Sequence, residues 1–273
     1  MKADLHIHSD MSDSTLSAGG IIRQAKLRDI EVLSITDHDT PRGQDENKEI
    51  AAEAGVSYIR GIEISAYDKR EGVSVHILGY GYENDSLLED FCSILNKRRA
   101  EAGINMAEKI ISIGYEITIE DVLQYSKSGI IYRPHITHAL FERGYMKGTV
   151  NELFDEWFAK DGPAYFPFEY ADPFEAIAVV KQAGGLAVLA HPAYDKNWAC
   201  IPLLAAAGLD GIEVYHPAHS NEEKAALLAI SDGYKLFATS GSDFHGMYAR
   251  DPVPIGYGCE SARDEMLALA SKP

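Results

Sequence analysis

Aliphatic and β-branched residues gather in short runs along this chain, at residues 3–8, 31–36, 57–64, 74–80, 185–190, 211–215 and 236–240. Nearly continuous rather than alternating, these runs predict seven strands buried on both faces, the habit of a largely parallel sheet. Between several of them apolar positions recur at helical spacing, over 21–28, 44–54, 173–183, 197–207 and 221–233. Strand alternating with helix predicts βα units and an α/β fold. Asp172-Pro173 reads as a helix start with proline at the first helical position. Gly208 and Gly233 read as helix stops. From 85 to 170 the strand runs vanish, and amphipathic helical patterns take over at 87–114, 118–125, 134–143 and 149–158. The chain therefore divides into a discontinuous α/β part, 1–84 and 171–273, and a helical insertion, 85–170. The insertion falls where a barrel would carry one βα loop, a place from which it would cover the site as a substrate-recognition lid.

The strand-like runs share an ending. They close on Asp4-Leu5-His6-Ile7-His8, Thr36-Asp37-His38-Asp39, Gly61-Ile62-Glu63, Val75-His76, Ala190-His191-Pro192 and Ser242-Asp243-Phe244-His245. Strand ends are where an α/β barrel keeps its chemistry, and imidazole with carboxylate is the donor set of divalent metals. Of ten histidines, His6, His8, His38, His76, His191, His216 and His245 lie at or just past a strand end. His6 and His8, two apart in a strand, point their rings the same way. Glu63 is placed to bridge two cations, and Asp13, in the polar loop 9–14, is a further candidate ligand. Asp10 reads as a cap, and Asp37 and Asp39 as groups that orient imidazoles. Arg133-Pro134-His135 opens a helix of the insertion, a combination suited to clamping an anion. His216 ends the sixth run and faces the same mouth, where it would bind substrate or donate a proton.

A formal net charge of −17 argues against tracking the phosphates of a long duplex, which needs clustered Lys and Arg. A small anionic substrate stays possible where bound cations reverse the local sign. Three cysteines without metal-knuckle or redox spacing suit a reducing, cytoplasmic setting, and neither a signal peptide nor a bilayer-spanning run is evident.

Taken together, His6-x-His8 with Asp13, Thr36-Asp37-His38, Glu63, His76, His191-Pro192 and Asp243-x-His245 resemble the PHP (polymerase and histidinol phosphatase) family of the amidohydrolase-like superfamily. The insertion and Arg133-Pro134-His135 look most like its TrpH/RNase AM branch of nucleotide phosphoesterases, which includes 3′,5′-nucleoside bisphosphate phosphatases. The resemblance implies a distorted seven-stranded (β/α) barrel holding three divalent ions, Mn2+ foremost, with Zn2+ or Fe2+ as alternatives. Carried over by position, one ion takes His6, His8, Glu63 and Asp243, a second shares Glu63 and adds His76 and His191, and a third takes Asp13, His38 and His245. Ser14 stands where the family usually has glycine, which would alter that turn.

The expected activity is hydrolysis of a phosphate monoester on a small nucleotide, such as a nucleoside 3′,5′-bisphosphate or AMP, by a metal-activated water. Asp243 and His216 are the expected catalytic groups, and Arg133 and His135 the expected substrate contacts. A histidinol phosphatase and a 5′–3′ exonuclease on short oligonucleotides would use the same ligands. A non-catalytic metal-binding scaffold would be the reading from another class.

Overall fold

The computed structural model describes residues 1–149 and 154–260. Residues 150–153, within the expected helix 149–158, and 261–273, the end of the α/β part, lie outside the described residues. In chain order the elements begin β1 (Ala3–Asp4), α1 (Ala18–Leu27), β2 (Val32–Leu33), α2 (Gln44–Ala54) and β3 (Ser57–Tyr58). They continue with β4 (Gly61–Asp68), β5 (Val73–Tyr80), α3 (Asp85–Ser112), α4 (Ile119–Leu123), α5 (Arg133–Glu142) and α6 (Phe154–Phe158). The remainder is α7 (Pro173–Gln182), β6 (Leu186–Leu189), α8 (Pro192–Asp195), α9 (Ile201–Ala206), β7 (Gly211–Tyr215), α10 (Asn221–Tyr234) and β8 (Phe237–Ser240).

The strands form two sheets, β1-β2-β3 and β4-β5-β6-β7-β8. β5 runs antiparallel to both β4 and β6, which corrects the expectation of parallel strands at this position. The cause is the connection. Residues 69–72 leave too few positions for a crossover, so β4 and β5 close as a hairpin. The single run expected over 57–64 is two strands, β3 and β4, because the ladder is interrupted at Ile59 and Arg60. β1 and β2 are also shorter than their apolar runs, and His6 and His8 follow β1 rather than lie within it. The smaller sheet and its flanking segments meet both outer strands of the larger one, β8 and β4. Leu5 N–H donates to Ser240 O at 3.0 Å, and Asp39 N–H donates to Glu63 O at 2.8 Å. Isolated bridges join Ile7 to Phe244 and His38 to Glu63 in parallel sense.

Helix ends follow the sequence signals closely. Asp172 caps α7 by accepting from Phe174 N–H, with Pro173 at the first turn. Ser220 and Glu223 form a reciprocal capping box on α10. Gly233 does not end α10, however. The helix continues to Tyr234, and Lys235 takes the left-handed conformation at φ 58°. The expected helix 197–207 is a short 3₁₀ turn, Trp198–Cys200, running into α9.

Apolar contacts sort by layer. Ile64, Ile77, Leu189 and Ile212 of the larger sheet pack with Leu88 and Cys92 of α3 and with Ile177 and Val180 of α7. Ile21, Ile22 and Leu33 anchor α1 to the smaller sheet. Leu5, Val32, Leu78 and Val188 form a cluster shared by the two sheets. The later part of α3 belongs to a separate cluster, in which Met106 and Ile110 meet Val122, Ile136, Leu140 and Trp157. Among the described residues no helix is long and apolar enough to cross a membrane. Cys92, Cys200 and Cys259 are unpaired thiols.

Candidate metal centre

The strand ends converge on Glu63. Its Oε2 lies 3.3 Å from His6 Nε2, 3.1 Å from His8 Nε2 and 3.0 Å from His38 Nδ1. Its Oε1 lies 3.1 Å from His76 Nδ1 and 3.2 Å from His191 Nε2. One carboxylate thus touches five imidazoles. The hairpin explains His76: Ser65 is its register partner, so His76 shares a face with Glu63 and meets it diagonally. Asp243 Oδ1 stands 3.3 Å from the Nε2 atoms of both His6 and His8, and its Oδ2 is 3.5 Å from His216 Nε2. Asp13 stands 3.5 Å from His245 Nε2 and 3.8 Å from His38 Nε2.

Ligand atoms gather, within 4.8 Å of one another, as His8–Asp13–His38–His245, His6–His8–Asp243, His6–Glu63–His191 and His76–His191–Asp195. Every residue nominated as a ligand is therefore in this cluster. His8 joins the Asp13 group as well as the Asp243 group, and Asp195 is an addition.

The chemistry of this donor set fits divalent cations. His6 Nε2 and His8 Nε2 are 3.2 Å apart, and His76 Nδ1 and His191 Nε2 are 3.4 Å apart. Two ring nitrogens so close repel unless a proton or a cation lies between them. Glu63 Oε2 and Asp13 Oδ1 are buried without a hydrogen-bond donor. The field favours positive charge. Burial alone would push the His6 pKa down, but the carboxylates of Glu213, Glu63 and Asp243 reverse this and hold it well above the ordinary value. Burial works the same way on His8, yet Asp243 and Glu63 push it up to about 10. Burial would raise Glu63, and His38, His6 and His76 hold it well below the carboxylate range.

Three of the seven non-glycine residues with positive φ among the described residues lie here. His191 and Asp243 adopt φ of 22° and 51°, and Asp39, beside His38, adopts 53°. Non-glycine residues visit this region at a cost, and such strain clusters at functional sites. Ser14 carries no such strain. It is outside the left-handed region, and its N–H donates to Ser9 O, so the backbone of that turn accepts serine without strain.

Several groups stand elsewhere than the sequence suggested. Asp37 accepts from Ser9 N–H, Ser9 Oγ–H and Ser12 Oγ–H, fixing the loop that carries Asp13 rather than touching an imidazole. Asp39 accepts from Ser65 N–H and from Arg99. Asp10 pairs with Lys127 across the insertion. The carboxylates that touch ligand imidazoles from behind are Glu213, 3.2 Å from His6 Nδ1, and Asp195, 3.3 Å from His191 Nδ1. Both were missed. Gly211-Ile212-Glu213 repeats the pattern of Gly61-Ile62-Glu63, and that charge inside an apolar run was the available signal.

A cavity of about 500 Å³ opens over the cluster. Its lining includes Asp13, His38, His76, His216, Asp243 and His245 from the strand ends. The insertion contributes a contrasting apolar wall of Ala102, Met106, Ile131, Phe154, Phe166 and Phe168. Arg99, Arg133 and Arg250 also line it, a local positive contribution in an acidic chain. The Arg99 guanidinium lies 4.9 Å from the ring centroids of both Tyr132 and Phe168. Arg133 thus lines the cavity over the cluster. His135 is not at the wall. It is fully buried, and its Nδ1 accepts from Tyr132 N–H because the ring caps its own helix. His216 Nδ1 accepts from Ala218 N–H at 3.1 Å, which leaves the proton of the neutral ring on Nε2, toward Asp243.

Comparison with known proteins accords with this geometry. The chain is 35% identical over 254 residues to a phosphoribosyl 1,2-cyclic phosphate 1,2-diphosphodiesterase of Eggerthella lenta, covering 92% of this chain and 97% of that one. It is 30% identical to a 3′,5′-nucleoside bisphosphate phosphatase of Chromobacterium violaceum (89% and 86% covered) and 30% identical to a 5′–3′ exoribonuclease of Haemophilus influenzae (89% and 90% covered). A putative metal-dependent phosphoesterase of Bifidobacterium adolescentis superposes with a TM-score of 0.87 at 31% identity, over 97% of this chain and 94% of that one. The α/β architecture is that of the PHP and amidohydrolase-like folds, and the protein is a metal-dependent phosphoesterase, a hydrolase of phosphoric esters. The PHP domain model matches residues 4–172, and the chain belongs to that family.

Proposed function

We propose that this phosphoesterase removes phosphate from a small nucleotide, with a nucleoside 3′,5′-bisphosphate as the substrate that fits best. The observation that carries the reading is the cavity with two unlike walls: ligand histidines and carboxylates on one, Phe154, Phe166 and Phe168 on another, with Arg99, Arg133 and Arg250 besides. A phosphate belongs at the first wall and a base at the second. A further phosphate suits Arg133, whose fork matches its oxygens. In this reading the two sheets act as one distorted barrel, seven-stranded when β3 and β4 are counted as one interrupted strand, and residues 85–170 are its substrate-recognition lid.

Three divalent ions fit the donor sets, one held by His6, His8, Glu63 and Asp243, one by Glu63, His76 and His191, and one by Asp13, His38 and His245. When bound they would polarise phosphate oxygens and lower the pKa of water. The chain's own residues then do the following. Asp243 lines the cavity and can take the proton of the attacking water at Oδ2. His216, whose Nδ1 accepts from Ala218 N–H, directs Nε2 toward Asp243 at 3.5 Å and can donate from it to a phosphate oxygen. The apolar wall excludes water from the reacting group and seats the base.

A second reading, opening of a cyclic phosphodiester on a phosphorylated ribose, is favoured by the likeness to the Eggerthella protein. Rates on adenosine 3′,5′-bisphosphate and on phosphoribosyl 1,2-cyclic phosphate, measured side by side with Mn2+, separate the two. Faster phosphate release from the bisphosphate is expected. Turnover of the cyclic sugar alone would replace the nucleotide reading with the second.

A further inference from the structure

We infer that Glu213 is a positioning residue for two metal ligands at once, His6 and His191, and so governs cation affinity at the two positions that Glu63 bridges. The inference rests on the metal-dependent reading above.

Glu213 sits in the middle of β7 and is fully buried. Both of its oxygens lie 3.2 Å from His6 Nδ1. Its Oε2 also accepts the backbone N–H of His191 at 2.9 Å. Among the described residues no lysine or arginine pairs with it within 4.0 Å, so it is not held as half of an ordinary ion pair. The geometry has two consequences. By accepting Nδ1–H it commits His6 to the tautomer whose Nε2 lone pair points at Glu63 and Asp243, each 3.3 Å away. By pinning the His191 N–H it holds a backbone at φ 22°, which the chain would otherwise relax. The two rings are left nearly parallel, at an interplanar angle of 21° with centroids 5.5 Å apart. Both then offer nitrogens to one set of ligand atoms, His6–Glu63–His191.

Glu213→Gln isolates the effect. The amide keeps the size but has one acceptor oxygen in place of two. With that oxygen on His191 N–H, the NH₂ group faces His6 Nδ1 and forces the proton to Nε2, against the metal. Turned the other way, NH₂ meets His191 N–H, and the strained backbone loses its anchor. The experiment is titration of metal-free protein with Mn2+, with free ion followed by electron paramagnetic resonance, on wild type, Glu213→Gln and Asp13→Asn. Circular dichroism of the metal-free forms reports folding. Glu213→Gln is expected to fold as wild type and to bind the two ions that share Glu63 about 10–100-fold more weakly. The ion of the Asp13–His38–His245 position should keep its affinity in that variant and lose it in Asp13→Asn. Should Glu213→Gln fail to fold, Glu213→Asp carries the test, since it keeps the charge but withdraws it by one methylene, and the same selective weakening is expected. Wild-type affinity at every position in a folded Glu213 variant would overturn the inference. Equal weakening at all positions would overturn it too, as a general structural effect. Wild-type protein that binds no Mn2+ would instead overturn the metal-dependent reading and the inference with it.

Discussion

Gly241 is where the account is most exposed to a single methyl group. A Cβ there would collide with His6 Cβ and would lie 2.5 Å from Glu213 Oε1 and 2.9 Å from His6 N. Two of these atoms are close to or part of the main chain, so no side-chain rotation makes room. The segment cannot retreat either. Gly241 N–H donates to Tyr215 O at 3.0 Å, Leu5 N–H to Ser240 O at 3.0 Å, and Asp243 N–H to His6 O at 2.9 Å. Ser242 N–H donates to the buried Asp4 carboxylate at 2.9 Å. Moving away loosens several bonds at about 0.5–1.5 kcal/mol each. Staying strains the contact at about 1–3 kcal/mol. The smaller conformational freedom of alanine in the unfolded chain returns only about 0.4–1 kcal/mol. Gly241→Ala should therefore cost about 0.5–2.5 kcal/mol net, a fall in Tm of roughly 1–5 °C for a chain of this size. Displacement of His6 and Glu213 should also weaken Mn2+ binding. Thermal melts of metal-free protein and Mn2+ titration check both parts. A variant with wild-type Tm and wild-type affinity would refute the convergence of β1, β7 and β8 on the centre.

Three other outcomes are expected. Chelation should abolish turnover and lower Tm, and Mn2+ should restore both; an ion at 100 times its Kd adds about 2.7 kcal/mol per site, read by calorimetry at several metal concentrations. Phe168→Ala should raise KM for adenosine 3′,5′-bisphosphate by roughly 5–150-fold, the value of one stacked base, while leaving KM for ribose 5-phosphate unchanged in steady-state assays. Arg70 holds the Asp68 carboxyl down to about 2 from 3.8. A depressed carboxylate contributes stability that is full above pH 4 and lost as pH falls through 2. Arg70 is half exposed, so solvent screening discounts the effect. Urea melts of Arg70→Ala should show a cost larger at pH 7 than at pH 2, over a pH-independent loss of packing on Phe174. No difference between the two pH values would contradict it.

The histidines and carboxylates of the cluster were legible because each interrupts its surroundings. A histidine or carboxylate closing an apolar run has no role in the core, and six such endings along one chain share a cause. The hairpin was legible in principle, since residues 69–72 leave no length for a crossover, but continuous apolar runs speak to burial and not to direction. Glu213 and Asp195 act through tertiary contacts. Glu213 reaches His6 across 207 positions of sequence, and a buried strand carboxylate cannot be told from a surface one until its partner is known. Asp195 was closer to hand, four residues after His191 in the turn opened by Pro192. His135 was misplaced because a histidine near a helix start can face a ligand or cap its own helix, and here it caps. Gly233 misled because a glycine marks a permitted helix stop, whereas Lys235 took the left-handed position two residues later.

The central claim, that the converged histidines and carboxylates form a metal-dependent phosphoesterase centre for a small nucleotide, is tested most directly by phosphate release from adenosine 3′,5′-bisphosphate. Mn2+-loaded wild type and Asp243→Asn are assayed together, with circular dichroism to establish that both are folded. Rapid release by wild type and a loss of about 10²–10⁴-fold in the variant are predicted, the range of a general base that also holds metal. Near wild-type release by a folded Asp243→Asn protein would contradict the assignment of the centre, and no release by wild type would contradict the choice of substrate.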